Sequence, residues 1–317
     1  MNGKLSIVLP SYKSKERLIK VRERLDAIFT AASIPFELII VDDGSLDGSF
    51  DIALDLEKKY DNVKAYELSR NYTAHYALFA GFQKVTGDCI SVVADDEQQP
   101  YELFVDMYRE WQKGAKIIFP YRTKRDDPWT SRILSGLFYK TMSTISDFVY
   151  PPMGLDSFFI DREVVDLLNK RIHPINTTTV TELLRMGFNP TYMPYSRGKS
   201  TASKSRWTFK KKVKLAKDWF FSTSSFPIKL ISYTGIFVSV FALALIVFYT
   251  YIRFFGNPDY WKLEVKGWVS LIILISFFSG LILLSLGIIA EYIFRIYEEV
   301  KARPGYIIKN KDNEKTN

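Results

Sequence analysis

Short apolar runs alternate with longer amphipathic stretches along the first half of the chain. Five of the runs are typical of buried strands, at residues 5–10, 36–41, 63–68, 90–94 and 116–119. The intervening stretches have helical spacing, at about residues 14–31, 48–60, 72–86, 101–113 and 130–147. Strands that alternate with helices predict a mostly parallel sheet covered on both faces, and hence an α/β domain.

Two long stretches without a charged residue follow this domain, at residues 230–252 and 267–290. Each is long enough to cross the hydrocarbon core of a bilayer. Basic residues flank the pair on its outer sides: Lys210, Lys211, Lys212, Lys214 and Lys217 before it, and Arg295, Lys301 and Arg303 after it. Because basic flanks stay inside, we expect a membrane hairpin with both flanks in the cytoplasm. The alternative is a pair of buried core helices.

The pattern divides the chain into four predicted parts. These are a cytoplasmic α/β domain at 1–195, an interfacial segment at 196–226, the hairpin at 227–296 and a cytoplasmic tail at 297–317. Apolar residues alternate with lysines between residues 209 and 220, which predicts an amphipathic helix in the headgroup layer. A similar apolar face at residues 133–149 is more typical of core packing.

Composition narrows the classes of function. The net charge is +8, but the basic excess is concentrated in residues 199–217, beside the first span, which favours anionic lipid over nucleic acid. The one cysteine, Cys89, excludes an intrachain disulfide, and its apolar surroundings predict a core position. His75 and His173 are too few for a histidine metal site. A P-loop or a G-x-G-x-x-G fingerprint is missing from the sequence, which disfavours P-loop kinases and dinucleotide oxidoreductases.

Two acidic clusters come directly after predicted strands. Asp42 and Asp43 follow the second strand, and the carboxyl ends of strands are where α/β sheets bind ligands. Their carboxylates are therefore suited to accept hydrogen bonds from a base or a ribose. The alternative is turn and helix-cap chemistry, with Asp47 or Ser49 capping the helix that begins near residue 48.

The second cluster is Asp95-Asp96-Glu97, at the end of the fourth strand. Carboxylates at a strand end repel one another unless a cation or hydrogen-bond donors compensate. Mg²⁺ or Mn²⁺ bridging a diphosphate would provide that compensation and stabilise a departing nucleoside diphosphate. A solvated acidic loop is the alternative.

These residues resemble a known family. The motifs that carry the resemblance are Ser11-Tyr12, Val41-Asp42-Asp43-Gly44-Ser45, Ser69-Arg70-Asn71-Tyr72, Ala80-Gly81-Phe82, Gly87-Asp88 and the second acidic cluster with the following Gln98-Gln99-Pro100-Tyr101-Glu102-Leu103. Together they resemble family 2 glycosyltransferases with the GT-A fold. The resemblance is greatest to the polyprenyl-phosphate glycosyltransferases, which charge undecaprenyl phosphate with a sugar and are bacterial relatives of dolichyl-phosphate mannose synthase.

The resemblance implies a role for each matching position. The nucleotide would be bound by Pro10, Tyr12, Asp42 and Asp43. The sugar-nucleotide site would be bordered by Ser69, Arg70, Asn71 and Asp95. Asp96 would hold the metal ion, and Asp156 would be the active-site aspartate. Two positions depart from the family pattern. Ala94 replaces the first Asp of its Asp-x-Asp, so that Asp95 or Glu97 would supply the missing carboxylate. Phe158 replaces an Arg, which suggests a different donor pocket.

A basic, hydroxyl-rich segment at residues 195–207 resembles the acceptor loop of the family. Its residues Arg197, Lys204, Ser205 and Arg206 would bind the phosphate of the acceptor. The cations can each donate several hydrogen bonds to that phosphate, beside the membrane. The alternative is a general polybasic anchor for anionic lipids.

The sequence therefore predicts an inverting glycosyltransferase of the inner membrane. The donor would be a nucleotide sugar, with a UDP-sugar favoured over GDP-mannose, and the acceptor a polyprenyl phosphate such as undecaprenyl phosphate. The membrane protein would be multi-pass with both termini cytoplasmic, and the resemblance is compatible with a homotetramer. Two alternatives stay open: a transferase for another lipid or a polysaccharide, and a non-catalytic scaffold that binds nucleotide sugars.

Overall fold

The computed structural model describes residues 3–96, 99–123, 155, 157–175, 177–196, 226–255, 268–301 and 303–309. The chain divides into two compact units. The first comprises Met1–Thr223 together with Arg303–Asn317, and the second comprises Ser224–Ala302. The last part of the chain therefore belongs to the same unit as the N-terminal domain.

A seven-stranded sheet forms the centre of the first unit. Its strands are β1 (Leu5–Ser11), β2 (Phe36–Asp42), β3 (Val63–Glu67), β4 (Cys89–Val92), β5 (Ile117–Arg122), β6 (Phe159–Asp161) and β7 (Thr191–Tyr195). The strand order is β3-β2-β1-β4-β6-β5-β7, and β6 runs antiparallel to both of its neighbours. The predicted mostly parallel α/β sheet is confirmed, with its five predicted strands in place.

Helices connect the parallel strands. They are α1 (Lys15–Ala31), α2 (Ser49–Lys59), α3 (Ala74–Phe82) and α4 (Glu102–Gln112), followed by α5 (Arg162–Arg171) and α6 (Thr179–Arg185). The first four match the predicted helices. The predicted helix at 130–147 lies outside the described residues. Four elements were not predicted, because each is short and follows the region in which apolar runs alternate clearly with amphipathic stretches. They are β6, β7, α5 and α6.

The sheet is buried on both faces by two apolar clusters. Successive residues of β1 alternate between them: Leu5, Ile7 and Leu9 belong to one cluster and Val8 to the other. Side chains of a strand point alternately to opposite faces, so a strand covered on both sides needs a continuous apolar run. Cys89 is fully buried in the first cluster, as predicted.

Strand register brings three polar residues together at one edge of the sheet. The last residue of β1, Ser11, is paired with Asp42 at the end of β2. Asp42 is in turn paired with Glu67 at the end of β3. Since these strands are parallel, their carboxyl ends form a single edge, where α/β sheets bind ligands.

The second unit contains two long helices, α7 (Phe226–Phe255) and α8 (Trp268–Val300). Many of their large apolar side chains are exposed, including Phe237 at 71% and Leu283 at 69%. Among the described residues one stretch, Phe277–Val300, is long and apolar enough to cross a membrane. The other predicted span lies within α7, and the hairpin stays a prediction.

The chain after α8 returns to the sheet of the first unit. Leu68, directly after β3, forms an antiparallel bridge with Ile308. The backbone N–H of Ser69 donates to the carbonyl oxygen of Ile307 at 2.9 Å, and that of Lys309 donates to the carbonyl oxygen of Glu67 at 2.8 Å. Residues 307–309 thereby pair with the chain at the end of β3.

Candidate active site

Asp42 lies at the carboxyl end of β2 and is only 1% exposed. Both of its oxygens accept hydrogen bonds from Ser45, one from the backbone N–H and one from the hydroxyl, each at 2.7 Å. Burial raises the pKa of Asp42 above its ordinary value, and the nearby Glu67 adds to this rise. Ser45 fixes the orientation of the carboxylate, which keeps further lone pairs for a ligand.

The next residue, Asp43, has a different set of partners. Its two oxygens accept hydrogen bonds from the backbone N–H groups of Tyr72 at 2.6 Å and Thr73 at 2.8 Å. Burial raises the pKa of Asp43 to about 6. Thr73 has φ 91°, in the region that non-glycine residues rarely adopt, so the Asp43 carboxylate stabilises a strained turn at the start of α3.

Gly44 brings the loop after β2 into direct contact with the loop after β3. The residue has φ +66°, and a Cβ atom placed on it would lie 2.5 Å from the carbonyl carbon of Arg70 and 2.9 Å from the backbone nitrogen of Asn71. Only glycine allows this approach. The contact places Arg70 and Asn71 beside the loop that follows Asp42, and the role of Ser69, Arg70 and Asn71 at the donor site stays a prediction.

The side chains of the 69–72 loop also contact one another. Arg70 stacks over the ring of Tyr72, with 4.1 Å from the guanidinium carbon to the ring centroid. The hydroxyl groups of Ser69 and Tyr72 are hydrogen-bonded at 3.1 Å. Ser69, Arg70 and Asn71 are otherwise exposed, so their polar groups remain accessible to a ligand.

The end of β1 forms a further side of this edge. Pro10 and Tyr12 are partly exposed there, on either side of the buried Ser11. Lys13 has φ 53°, and its backbone N–H donates to the hydroxyl oxygen of Ser45 at 2.9 Å. Ser45 therefore links the chain after β1 to Asp42. The Ser11 hydroxyl is buried and has no hydrogen-bond partner within the described part of the chain.

Asp95 forms an ion pair with α1. Its carboxylate lies 3.0 Å from Arg17 and also accepts a hydrogen bond from Ser14, the residue before the helix. The Arg17 guanidinium donates in addition to the carbonyl oxygen of Lys13 at 2.8 Å. These contacts tie the turn after β4 to the start of α1. The role of Asp95 in binding the sugar nucleotide stays a prediction.

Asp96 lies in the same turn and is partly exposed. Within the described ranges no three acidic, histidine or cysteine side chains are close enough to hold a metal ion by themselves. A single partly exposed carboxylate such as that of Asp96 can bind Mg²⁺ or Mn²⁺ together with phosphate oxygens of a substrate, the mode in which Mg²⁺ is commonly held. Glu97 and Asp156 lie outside the described residues.

The predicted acceptor-binding residues also lie outside the described part of the chain: Arg197, Lys204, Ser205 and Arg206. Phe158, by contrast, lies within the described residues. It is 3% exposed and its ring packs against Phe82 with 6.0 Å between centroids. Its carbonyl oxygen accepts a hydrogen bond from Ser91. The ring of Phe158 therefore belongs to the core, and the different donor pocket suggested by the missing Arg stays a prediction.

The site contains residues that sequence reasoning missed. Ser45 positions Asp42, and Ser14 with Arg17 positions Asp95. Ser45 could have been found from its spacing, since a serine three residues after an aspartate often closes a turn of this kind. No signal in the sequence connects Arg17 to Asp95, because the two residues meet only through the pairing of β1 with β4.

Open α/β sheets bind their ligands at the carboxyl ends of the strands, and this edge of the sheet carries the ordered carboxylates of Asp42 and Asp43. The family model described as Glycosyl transferase family 2 matches residues 6–166. The chain belongs to glycosyl transferase family 2 and is a glycosyltransferase with the GT-A fold. The expectation drawn from the motifs is thus confirmed for the family, the fold and the enzyme class.

Relatives align with the chain over nearly its whole length. An uncharacterized glycosyltransferase of Bacillus subtilis (strain 168), YkcC, is 32% identical over 96% of this chain and 93% of its own length. The bactoprenol glucosyl transferase of Shigella phage SfV is 30% identical over 97% of this chain and 98% of its own. Among solved structures, glucosyl-3-phosphoglycerate synthase from Mycobacterium tuberculosis aligns with 68% of this chain and 76% of its own, at 14% identity and a TM-score of 0.47.

Proposed function

We propose that this glycosyltransferase transfers a sugar from a nucleotide sugar to the phosphate of a polyprenyl phosphate. The observation that carries the proposal is the end-to-end similarity to the phage bactoprenol glucosyl transferase, which includes the region of both long apolar helices. An undecaprenyl-phosphate 4-deoxy-4-formamido-L-arabinose transferase of Enterobacter sp. (strain 638) is also 27% identical over 96% of the chain. Both names describe sugar transfer to a lipid carrier.

Asp42 is the proposed contact for the base of the donor. Its carboxylate is buried and held by Ser45. A carboxylate in this state can accept a hydrogen bond from an imide or amide N–H of uracil or guanine. Pro10 and Tyr12 would flank the base, and Asn71 and Arg70 would lie near the diphosphate and sugar. We favour a UDP-sugar, with GDP-mannose as the second donor.

Asp96 is the proposed protein ligand of a divalent cation. A bound Mg²⁺ or Mn²⁺ would neutralise the diphosphate of the donor and so lower the cost of its departure. The partly exposed position of Asp96, in the turn after β4, leaves room for phosphate oxygens to complete the coordination. Asp95 is tied to Arg17 and Ser14, and its proposed contribution is to hold this turn in place.

The acceptor would be delivered at the membrane surface. The exposed apolar side chains of α7 and α8 need an apolar environment, which a bilayer supplies. We propose a two-helix hairpin with the catalytic domain and both termini in the cytoplasm. Arg197, Lys204, Ser205 and Arg206 precede it and would hold the acceptor phosphate.

The proposed chemistry is a single displacement with inversion. The acceptor phosphate is already anionic, so its oxygen can attack the anomeric carbon of the sugar without a strong general base. The bond from that carbon to the donor diphosphate breaks, and the nucleoside diphosphate leaves. The contribution of the protein is alignment of the two substrates and stabilisation of developing charge. Asp156 would orient the sugar or the acceptor.

A substrate panel tests this function. The purified full-length protein is incubated with undecaprenyl phosphate, a labelled UDP-sugar or GDP-mannose, and Mg²⁺ or Mn²⁺, and the lipid phase is then examined for label. We expect a labelled polyprenyl-phosphate sugar whose anomeric configuration is opposite to that of the donor. Donor binding without any labelled lipid would contradict the proposal and favour the scaffold; labelling of a saccharide acceptor alone would favour a polysaccharide transferase.

A further inference from the structure

The segment after the last long helix has the pattern of a strand. Tyr306 and Ile308 pack against the apolar cluster of the first unit, whereas Ile307 and Lys309 are exposed. This alternation is the period of two that a β-strand requires. Burial raises the pKa of Tyr306 to about 12, as expected for a phenol enclosed by the protein. The segment is therefore an ordered part of the first unit.

Gly305 lets the segment approach α3 closely. A Cβ atom at this position would lie 2.8 Å from the ring of Tyr76 and 2.9 Å from the ring of Pro174. Pro174 is itself bound to α3, because its carbonyl oxygen lies 2.8 Å from Nε2 of His75. The segment thus contacts the first turn of α3, directly after the loop whose backbone is held by Asp43.

The segment pairs with the chain where β3 ends and the donor loop begins. The donor loop consists of residues 69–73, and its first N–H group, on Ser69, donates to the carbonyl oxygen of Ile307. Its last two N–H groups, on Tyr72 and Thr73, donate to Asp43. The two ends of an exposed loop are therefore fixed by separate partners, one of which comes from the C-terminal segment.

The segment also balances a charge beside Asp42. The Lys309 ammonium lies 2.6 Å from the Glu67 carboxylate, which is 9% exposed. Glu67 is paired with Asp42 across β2 and β3. An unneutralised carboxylate at this position would disfavour the ionised form of Asp42, on which hydrogen bonding to the base depends.

We propose that residues 303–309 are a positioning segment of the donor site, which orders the loop 69–73 through the Ser69–Ile307 hydrogen bond and neutralises Glu67 beside Asp42. The segment does not touch the reacting atoms. The inference rests on the proposed function in one respect, that the loop 69–73 borders the donor. It implies that the end of the chain after α8 is needed for recognition of the nucleotide sugar.

A pair of truncations of the full-length protein tests this. Removal of residues 303–317 deletes the segment, whereas removal of residues 310–317 keeps it and serves as the matched control. For the first truncation we expect the donor KM to rise about tenfold, the size that loss of one or two net hydrogen bonds in a binding loop predicts. The KM of this truncation for polyprenyl phosphate should equal that of the intact chain. The control truncation should keep both KM values of the intact chain.

Two point variants and two measurements that need no turnover keep the test decisive if the first truncation folds poorly or if no transfer is detected. Lys309→Pro removes the N–H that donates to Glu67, and Lys309→Met keeps that N–H but removes the ion pair. Amide exchange at Ser69 and the Kd for UDP and GDP by calorimetry need no turnover. We expect faster Ser69 exchange and weaker nucleotide binding in Lys309→Pro. Unchanged exchange and unchanged nucleotide affinity in both that variant and the long truncation would overturn the inference, whatever the transfer assay shows.

Discussion

One carboxylate oxygen of Asp43 lies 2.6 Å from the backbone nitrogen of Tyr72. Together with the bond from the backbone N–H of Thr73 to its other oxygen, this contact joins the loop after β2 to the loop that leads into α3. Asp42 and Asp43 are adjacent in sequence but point to different partners. Asp42 is held by Ser45 at the edge of the sheet, whereas Asp43 holds the loop that leads into α3.

Donor binding should depend on the protonation of Asp43. Its pKa is raised to about 6, so below that pH the carboxyl group carries a proton and can no longer accept from both N–H groups. We expect the affinity for a nucleotide sugar to fall as the pH decreases from 7 to 5. A nucleotide sugar is the appropriate probe, because its diphosphate is esterified at both ends and therefore does not itself titrate in this pH range. Titration calorimetry at a series of pH values measures the effect, and Asp43→Asn should flatten the profile.

The stability of the fold should change with pH in the opposite direction, between the ordinary pKa and the raised pKa of Asp43. The folded-state pKa of Asp43 lies above its ordinary value of 3.8, so the folded protein binds the proton more tightly than the unfolded chain does. Ionisation of Asp43 therefore lowers the free energy of unfolding as the pH rises from 3.8 to about 6. Thermal unfolding of the intact protein and of Asp43→Asn between these values isolates this contribution. An identical pH dependence in the two proteins would contradict the assignment.

Gly44→Ala should distort the donor loop. The substitution combines an unfavourable positive φ with a Cβ contact of 2.5 Å to Arg70, and we expect a loss of about 2–4 kcal/mol in stability. Gly48→Ala is the matched control in the same loop. It also has a positive φ, but its nearest atom is 3.4 Å away, so strain alone should cost about 1–2 kcal/mol. Chemical denaturation and donor affinity measure both variants, and equal losses would show that the close approach to Arg70 is unimportant.

Arg17 and Asp95 should be coupled in stability. The two side chains are 27% and 13% exposed, so their ion pair is partly shielded from water. A double-mutant cycle with Arg17→Ala and Asp95→Ala should give a coupling energy of about 1 kcal/mol. Glu16→Ala, on the same turn of α1, provides a control for general effects on the helix. Additive losses would indicate that the pair does not hold the turn after β4.

Asp96→Asn should abolish transfer without unfolding the protein. Loss of a carboxylate that binds the metal weakens metal binding and removes the charge stabilisation that the metal provides. We expect this to lower turnover by about 10²-fold or more. The thermal unfolding temperature should stay close to that of the intact chain. Asp156→Asn is expected to give the same result. Chelation of divalent cations should likewise stop turnover of the intact protein, and full activity after chelation would remove Asp96 from the proposed role.

The basic segment before the first long helix offers a test of acceptor recognition. Arg206→Gln should raise the KM for the polyprenyl phosphate about tenfold or more, as expected when a charged hydrogen-bonding partner of a phosphate is lost. Lys210→Gln removes the same charge a few residues further on and serves as the control. Equal effects of the two substitutions on KM and on vesicle binding would favour a general polybasic anchor.

Local pattern was enough to predict much of the fold. Largely apolar runs identify β1 to β5 because strands covered on both faces carry mostly apolar side chains. The same reasoning placed Asp42 and Asp96 at strand ends. The antiparallel insertion of β6 between β4 and β5 could not be predicted, since β6 is three residues long and its pairing is entirely non-local.

The sequence by itself determined the α/β domain, the acidic edge, the two long apolar stretches and the family. Each of these follows from residue type and spacing over a short window. Only the tertiary structure decided that Asp43 binds the backbone of Tyr72, that Asp95 binds Arg17, that Phe158 is a core residue and that the chain after α8 pairs with β3. The physical reason is that these contacts join segments far apart in the chain, and hydrogen bonds of this kind depend on strand register and loop geometry, which residue identity does not encode locally.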